Sequence, residues 1–172
     1  MKIFVTVGLE SFPFDRLVRA IETGLERRLI DGEVFIQSGD SLNPGGRCRS
    51  SRFMGFDEVV TRMREADIVV SHAGVGATFL CLEMGKVPIL FPRRACFREH
   101  VDDHQVLFAR KMESQGKVLV AHDEDDLLFK ISHYAALVEG KLGPRTPPEP
   151  HSLRNCLEGI LLKCGTKGGV PK

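Results

Sequence analysis

Apolar residues recur along most of the chain in two patterns, short continuous runs and longer stripes with helical spacing. The runs cover residues 2–7, 33–37, 68–70, 87–91 and 118–121, and each is short enough for a buried strand. Helical stripes separate the runs, and neighbouring parallel strands need such crossover connections. The order therefore predicts an α/β fold, a Rossmann-like, doubly wound and mostly parallel sheet with helices on both faces.

The helical stripes also predict where the helices begin and end. The first helix is expected to begin at Pro13 or Phe14 and to extend to Leu29, with one apolar stripe facing the sheet. Asp123 is expected to cap the last helix, which continues through Val138. The other expected elements are helices over residues 57–65, 79–84 and 102–114 and a short strand over residues 51–54.

The end of the chain differs in composition from the rest. Residues 143–150 carry four prolines and are expected to form a stiff linker, and residues 152–163 are expected to form one short helix. The chain is thus divided into a domain over residues 1–142 and an appendage over residues 143–172. Two placements stay open for the terminal helix, against its own domain or on another chain.

Length and charge exclude several classes of protein. With 172 residues, 42% of them hydrophobic, the chain has room for one core and one active face. The net charge of +1 gives no electrostatic case for a nucleic-acid partner. Local arginine clusters at residues 47–52 and 93–98 are either solvated surface or functional.

Cysteine content and hydropathy bear on where the protein works. The five cysteines include no Cys-x-x-Cys pair, so neither a disulfide framework nor a zinc site is indicated, and a reducing cytoplasm is expected. No run approaches the roughly 18 continuous apolar residues of a membrane span. Any membrane attachment is therefore expected to be peripheral or through a partner.

Residues 68–92 have the order strand, glycine turn, helix, strand. Glycines directly after a strand let the backbone approach a ligand, and the N-terminus of the following helix attracts phosphate. Close packing alone is the other explanation for Gly74 and Gly76. In open α/β sheets ligands bind beyond the carboxyl ends of the strands, where Gly8 and residues 38–40, 71–78 and 99–105 are expected to converge.

The residue types in these segments suit a phosphorylated, hydroxyl-rich ligand. Backbone N–H groups of residues 74–78 suit a diphosphate, and His100, His104 and Gln105 suit phosphate or sugar hydroxyls. Two interpretations stay open for His72, a ligand contact or a packed side chain that holds its loop. Asp102 and Asp103 are either part of the site or caps of the helix they begin.

Other chemistries fit the sequence less well. His100 and His104 lie one turn apart at the start of a helix, but no second cluster of ligands accompanies them, so no metal site is expected. The sequence contains neither a P-loop, Gly-x-x-x-x-Gly-Lys-Ser/Thr, nor a Gly-x-Ser-x-Gly nucleophile elbow.

Four segments together resemble a known family. They are Phe-Val-Thr-Val-Gly at 4–8 followed by Pro-Phe-Asp-Arg-Leu at 13–17, and the stretches at 65–76, 85–92 and 99–105. Over most of residues 1–138 the chain resembles the C-terminal, nucleotide-sugar-binding domain of glycosyltransferase family 28. It is most similar to free-standing half-enzymes, the catalytic subunit of the dolichol-linked N-acetylglucosaminyltransferase and bacterial capsule and exopolysaccharide subunits.

The resemblance implies one half of a GT-B glycosyltransferase that is divided over two chains. This half would bind a UDP-sugar, and a membrane-associated partner subunit would bind a lipid-linked, polyprenyl diphosphate acceptor for polysaccharide biosynthesis. Transfer would invert the anomeric centre without a metal or other cofactor, and nucleic acid is not an expected partner. The chain would be cytoplasmic and peripheral to the membrane through its partner.

The resemblance also implies which residues bind the UDP-sugar. Leu80 stands where relatives carry a glutamate suited to the ribose hydroxyls, and Glu83 is the nearest carboxylate, one turn later. Leu9 and Glu10 follow the first glycine where many relatives have Thr-His, so no catalytic base is assigned and Glu10 is only a candidate. The expected UDP-sugar-binding residues are Gly8, Ser71, His72, Gly74, Gly76, Ala77, Thr78, Glu83, Arg93, Glu99, His100, Asp103, His104 and Gln105.

Two other functions compete with this one. The chain is alternatively a non-catalytic stabilising or binding subunit of such a complex, with Leu80 as the mark of a degraded donor site. The third hypothesis is a self-sufficient homodimeric enzyme that acts on a sugar nucleotide, such as an epimerase.

Overall fold

Six parallel strands form one sheet in the computed structural model, which describes residues 1–139. In sheet order the strands are β3 (Arg49–Ser51), β2 (Glu33–Gln37), β1 (Lys2–Thr6), β4 (Ile68–Ser71), β5 (Ile89–Leu90) and β6 (Leu119–Val120). Every neighbouring pair is parallel. The predicted doubly wound α/β fold is confirmed, whereas the linker and helix predicted over 143–172 and the boundary at 142 lie outside the described residues.

Residues 1–139 contain six helices and a short 3-10 turn, of which the first four helices lie between strands and the last two follow β6. None of these helices combines the length and the apolar character needed to cross a bilayer. The helices are α1 (Asp15–Glu26), α2 (Phe56–Glu65), α3 (Val75–Glu83), α4 (His104–Ser114), α5 (Glu124–Ser132) and α6 (Tyr134–Val138), and the 3-10 turn covers Ala95–Phe97.

The two faces of the sheet bury different sets of side chains because successive strand residues point to opposite faces. Val5 packs in the larger cluster with Leu17 and Ile21 of α1, and α5 contributes to the same cluster. Phe4, one residue earlier, packs in the cluster that contains residues of α2 and α3. Full burial of each such side chain stabilises the fold by about 1.5–3 kcal/mol.

The structure places several elements differently from the sequence expectations. The third strand is Arg49–Ser51 and not 51–54, since this edge strand is polar and shows no apolar run. The first helix ends at Glu26, because Arg28 has a left-handed φ of 56°. The last helix is interrupted at His133 and forms α5 and α6. The side chain of Asp123 does accept a hydrogen bond from Asp126 N, as a cap does.

The helix after the glycine turn begins at Val75, four residues before the predicted start. Glycine and alanine at 76 and 77 are typical of a turn by composition, but packing against the sheet holds them in the first helical turn. This shift matters for the site, since the N-terminus of α3 now follows β4 after only three residues.

The strand order places a topological switch point between β1 and β4. These neighbours are parallel, but β1 leads into α1 on one face and β4 leads into α3 on the other. The two connections diverge and leave a crevice at the carboxyl ends of both strands, which is where doubly wound sheets bind ligands.

Candidate functional site

A cavity of about 490 Å³ opens at this crevice. Its volume lies within the usual range for a small-molecule site. Strand ends and the loop after β1 supply its polar wall, and α2 and α3 supply most of its apolar wall. The lining residues are Thr6, Gly8, Leu9, Glu10, Gln37, Met54, Phe56, Val59, Met63, His72, Gly74, Gly76, Ala77 and Leu80.

His72 lies at the centre of the cavity wall, directly after β4. Its side chain packs between two glycines: a Cβ on Gly8 would lie 2.5 Å from His72 Nε2, and a Cβ on Gly74 would lie 2.3 Å from the same atom. Only glycine at both positions leaves room for the imidazole. The close packing of small residues that the sequence left open is therefore present, and it serves to frame a polar side chain inside the cavity.

The charge state of His72 follows from its surroundings. Burial, together with the positive charge of Arg93, lowers the pKa of His72 to about 4, so the ring is neutral at pH 7. His72 Nδ1 lies 3.3 Å from Thr6 O, and a carbonyl oxygen only accepts. The contact thus requires the proton on Nδ1, and Nε2 of the neutral ring carries a lone pair.

The N-terminus of α3 forms the neighbouring part of the wall. Gly74 is its N-cap residue, with an extended backbone at φ −65° and ψ 132° and no side-chain cap. The first N–H groups of a helix have no intrahelical acceptor, and the helix dipole adds about half a positive charge there. This end of α3 can bind an anion without any basic side chain.

Ser71, the last residue of β4, and Thr78, in the first turn of α3, are both buried. Thr78 Oγ1 donates to Gly74 O at 2.9 Å, so its hydroxyl stabilises the first turn of the helix. Ser71 Oγ has no hydrogen-bond partner within residues 1–139. Glu83 lies at the opposite end of α3, outside the cavity lining, and its Oε2 is likewise buried without a partner in the described region.

Arg93 is completely buried and braces two loops of the site. Its guanidinium donates to Val7 O at 2.7 Å and to Phe12 O at 2.5 Å in the loop after β1. It also donates to Glu99 O at 3.1 Å, and Gln105 Oε1 accepts from Arg93 N at 3.3 Å. Burial lowers the pKa of Arg93 to about 10, which leaves it protonated at pH 7.

Glu99 is held by a second arginine. Arg16 Nε donates to Glu99 Oε1 at 2.8 Å and Arg16 Nη2 donates to Glu99 Oε2 at 2.9 Å, a bidentate pair. Arg94 N also donates to Glu99 Oε2, at 3.0 Å. The side chain of Glu99 is therefore committed to protein donors and fixes the loop that leads into α4.

His100, Asp102 and His104 form a group of possible metal ligands at the start of α4. Their ligand atoms lie within 4.8 Å of one another, and they are the one such group in residues 1–139. Asp102 Oδ1 contacts His104 Nδ1 and lies 3.4 Å from His100 Nδ1. The hydrogen bond from His104 N is the largest cause of the lowered pKa of Asp102. Asp103 Oδ1 accepts from Ala95 N at 2.8 Å.

The predicted site residues thus separate into three places. Gly8, His72, Gly74, Gly76 and Ala77 line the cavity. Ser71, Thr78 and Glu83 lie in or beneath α3, outside the lining. Arg93, Glu99, His100, Asp103, His104 and Gln105 belong to the neighbouring loop and the start of α4, and their contact with a ligand stays a prediction.

Several residues that line the cavity are not among the site residues predicted from the sequence. Thr6 and Gln37 are buried polar residues that end β1 and β2, a signal visible in the sequence as a polar residue that closes an apolar run. Met54, Val59 and Met63 form an apolar wall, and an apolar stripe does not by itself distinguish a cavity wall from a core.

A larger groove of about 640 Å³ lies along α1 and the N-terminus of α5. Arginines and carboxylates share its lining, among them Arg16, Arg19, Glu124 and Asp125. The cavity at the switch point is the better candidate site, because it collects the ends of three neighbouring strands and the N-terminus of α3.

Comparison with known proteins agrees with this architecture. A stretch of 73 residues is 30% identical to the UDP-N-acetylglucosamine transferase subunit ALG13 of Yarrowia lipolytica (strain CLIB 122 / E 150), over 42% of this chain and 35% of the relative. The glycotransferase of kitacinnamycin has a similar fold, with a TM-score of 0.55 and 17% identity over 92% of this chain and 39% of that one.

The spinosyn rhamnosyltransferase SpnG, solved in complex with thymidine diphosphate, gives a TM-score of 0.54 at 18% identity, over 91% of this chain and 45% of that one. The chain thus spans less than half the length of each of these relatives. Residues 2–131 match the glycosyltransferase family 28 C-terminal domain, so the chain belongs to that family.

Proposed function

We propose that the chain is the donor-binding subunit of an inverting glycosyltransferase that transfers a sugar from a UDP-sugar to a lipid-linked, polyprenyl diphosphate acceptor in polysaccharide biosynthesis. The cavity at the switch point, with His72 framed by Gly8 and Gly74, is the observation that carries the proposal. Membership of a glycosyltransferase family supports it. The name of the Yarrowia relative supports UDP-N-acetylglucosamine chemistry and a multi-subunit enzyme.

In this proposal the diphosphate of the donor lies against the N-terminus of α3. The unpaired N–H groups and the helix dipole neutralise the charge that develops on the leaving diphosphate, so the reaction needs no metal at this position. Gly76 lets the phosphate oxygens approach the backbone, because the space that a side chain would occupy there is open.

The apolar wall is assigned to the nucleoside. Met54, Val59 and Leu80 present apolar side chains to the cavity, which suits the face of a base and the carbon edge of a ribose. The transferred sugar extends towards the loop of residues 99–105, which Arg93 holds beside the loop after β1. Glu10 is the only carboxylate in the lining and stays a candidate base.

A second subunit is proposed to complete the active site. A GT-B enzyme works between two Rossmann-like domains, and the part of this chain that the structure describes holds one sheet. Large apolar side chains are exposed on loops after β1 and β5: Leu9 is 76% exposed, Phe97 54% and Val101 73%. Leu9 lines the cavity, and Arg93 holds the loop after β5 beside the loop after β1, so these loops suit contact with an acceptor-binding, membrane-associated partner.

Calorimetric titration with UDP and UDP-sugars in EDTA tests the donor site, using two glycines that share one geometry. Gly74 and Gly55 are both helix N-cap residues with φ near −65°, so alanine is tolerated by the backbone at either position. A Cβ on Gly74 enters the space of His72, whereas a Cβ on Gly55 meets nothing within 4 Å. Gly74→Ala should weaken binding roughly ten- to a hundredfold, and Gly55→Ala should leave it unchanged.

Equal UDP affinities for wild type and Gly74→Ala would remove the site assignment. Absence of any UDP binding, together with tight association to a membrane partner, would instead favour the non-catalytic stabilising subunit. The observation behind that second function is Leu80, an apolar residue 6% exposed that faces the cavity from α3.

A further inference from the structure

Two buried polar side chains form hydrogen bonds with the backbone N–H and the backbone C=O of Gly8. Thr6 and Gln37 end β1 and β2, lie opposite each other in the sheet register, and are 4% and 2% exposed. Gly8 N donates to Thr6 Oγ1 at 3.2 Å, and Gln37 Nε2 donates to Gly8 O at 2.9 Å. Thr6 Oγ1 in turn donates to Gln37 Oε1 at 2.5 Å, which closes the network.

This network fixes the one residue of the turn that has the most conformational freedom. Gly8 has a φ of +83°, a conformation that only glycine adopts without strain. Its Cα faces the imidazole of His72, with room for a hydrogen and not for a methyl group. Any displacement of the Gly8 peptide therefore changes the cavity wall beside His72 Nε2.

Strand pairing in the sheet does not require polar side chains at positions 6 and 37. Valine has nearly the shape of threonine and a high strand propensity, and methionine has nearly the length of glutamine, so apolar residues would serve both strand ends. Buried polar groups are costly unless they are hydrogen-bonded, and here their bonds go to Gly8 and, from Gln37 Nε2, to Arg52 O at 3.3 Å. Both side chains also line the cavity.

We propose that Thr6 and Gln37 are positioning residues of the donor site, which set the Gly8 turn and through it the wall that faces the diphosphate. The inference rests on the proposed function, since it names the diphosphate as the group for which the turn is placed. Neither residue is assigned direct chemistry.

The test combines amide hydrogen exchange of Gly8 with UDP titration, for Thr6→Val, Gln37→Met and the conservative Thr6→Ser. Val7 N donates to the backbone carbonyl of Gln37 and gives an internal reference for exchange in the same turn. Thr61→Val is the matched control, because it also removes a threonine hydroxyl that donates to a backbone carbonyl. Thr61 Oγ1 donates to Asp57 O at an exposed position of α2.

Thr6→Val and Gln37→Met should speed Gly8 exchange relative to Val7 and weaken UDP binding roughly tenfold. Thr6→Ser should restore both readouts, which a loss of general stability would not allow. If Thr6→Val does not fold, the comparison of Gln37→Met with Thr61→Val tests the positioning role.

Unchanged Gly8 exchange in the variants overturns the positioning role, and so does faster exchange with unchanged UDP affinity. A wild-type chain that binds no UDP overturns the proposed function itself and removes the basis of this inference. The two failures are distinguished by the wild-type titration alone.

Discussion

At the scale of single residues, His72 is the side chain whose chemistry depends most on the fold. An unfolded histidine has a pKa near 6.5, whereas burial lowers the pKa of His72 to about 4. Between these pH values the unfolded chain binds more protons than the folded one. The contribution of neutral, buried His72 to the free energy of unfolding is therefore fully present above pH 6.5 and is lost as the pH falls towards 4.

The titration of His72 predicts a specific pH dependence of stability. Between pH 7 and pH 4.5 the free energy of unfolding of the wild type should fall by roughly 2 kcal/mol more than that of His72→Gln, which cannot titrate there. Denaturant unfolding at both pH values measures the difference. Identical pH profiles for the two proteins would show that His72 is not held neutral by burial.

Residue chemistry at the site was only partly predictable from the sequence. The glycine turn after β4 and Gly8 were recognised because glycines directly follow apolar runs. The resemblance predicts Arg93 as a ligand residue, whereas the structure shows its guanidinium bonded to backbone carbonyls of the loop after β1 and of its own loop. The partners of a buried arginine depend on tertiary contacts that no local pattern encodes.

At the scale of elements, the loops after β1 and β5 are held together through Arg93. Two of the carbonyls that it satisfies, Val7 O and Phe12 O, belong to the loop after β1, and the third, Glu99 O, belongs to the loop after β5. A lysine keeps the charge and has three N–H donors, but its single ammonium nitrogen lacks the planar fork that reaches all three carbonyls. At least one buried carbonyl would then lack a donor.

Arg93→Lys should therefore lower the free energy of unfolding by about 1–3 kcal/mol, the cost of an unsatisfied buried group. Arg49→Lys is the control, because Arg49 is exposed on the edge strand and pairs with Glu33 at the surface. Chemical denaturation of both variants measures the effect. A similarly small change in the two would mean that Arg93 is not a brace.

The elements themselves were largely predictable, and the exceptions share a cause. Continuous apolar runs predict five of the strands, but β3 is Arg-Ser-Ser, an exposed edge strand that shows no apolar run and is held by backbone pairing with β2 and by the surface pair of Arg49 with Glu33. The start of α3 was predicted too late, since composition alone does not distinguish Gly76 in a turn from Gly76 in a first helical turn. For β3, pairing with β2 outweighs the local propensity, and α3 includes Gly76 in its first turn despite the low helix propensity of glycine.

At the scale of the whole molecule, the sheet order determines which loops meet. Thr6 and Gln37 are 31 residues apart in the sequence and become neighbours only because β1 and β2 are adjacent. Periodicity predicts strands without their order, so this contact was not foreseen. Leu9 lines the cavity and Val101 lies on the loop after β5, and the exposure of both side chains is the basis of the proposed partner face.

Val101→Asp should reduce co-purification of the chain with the proposed membrane-associated partner and leave UDP affinity unchanged, since Val101 is outside the cavity lining. Phe129→Asp is the control, with a large apolar side chain that is 53% exposed on α5. Pull-down from native membranes with a tagged chain measures the association. Equal recovery of the partner with both variants would place the interface elsewhere.

The central claim is that a UDP-sugar binds at the switch point between β1 and β4. Titration of the isotope-labelled chain with UDP, followed by amide NMR, tests this claim most directly. The largest shifts are expected at Gly8, Gly74 and Gly76. Shifts confined to the groove along α1 and α5, or no shifts at saturating UDP, would contradict it.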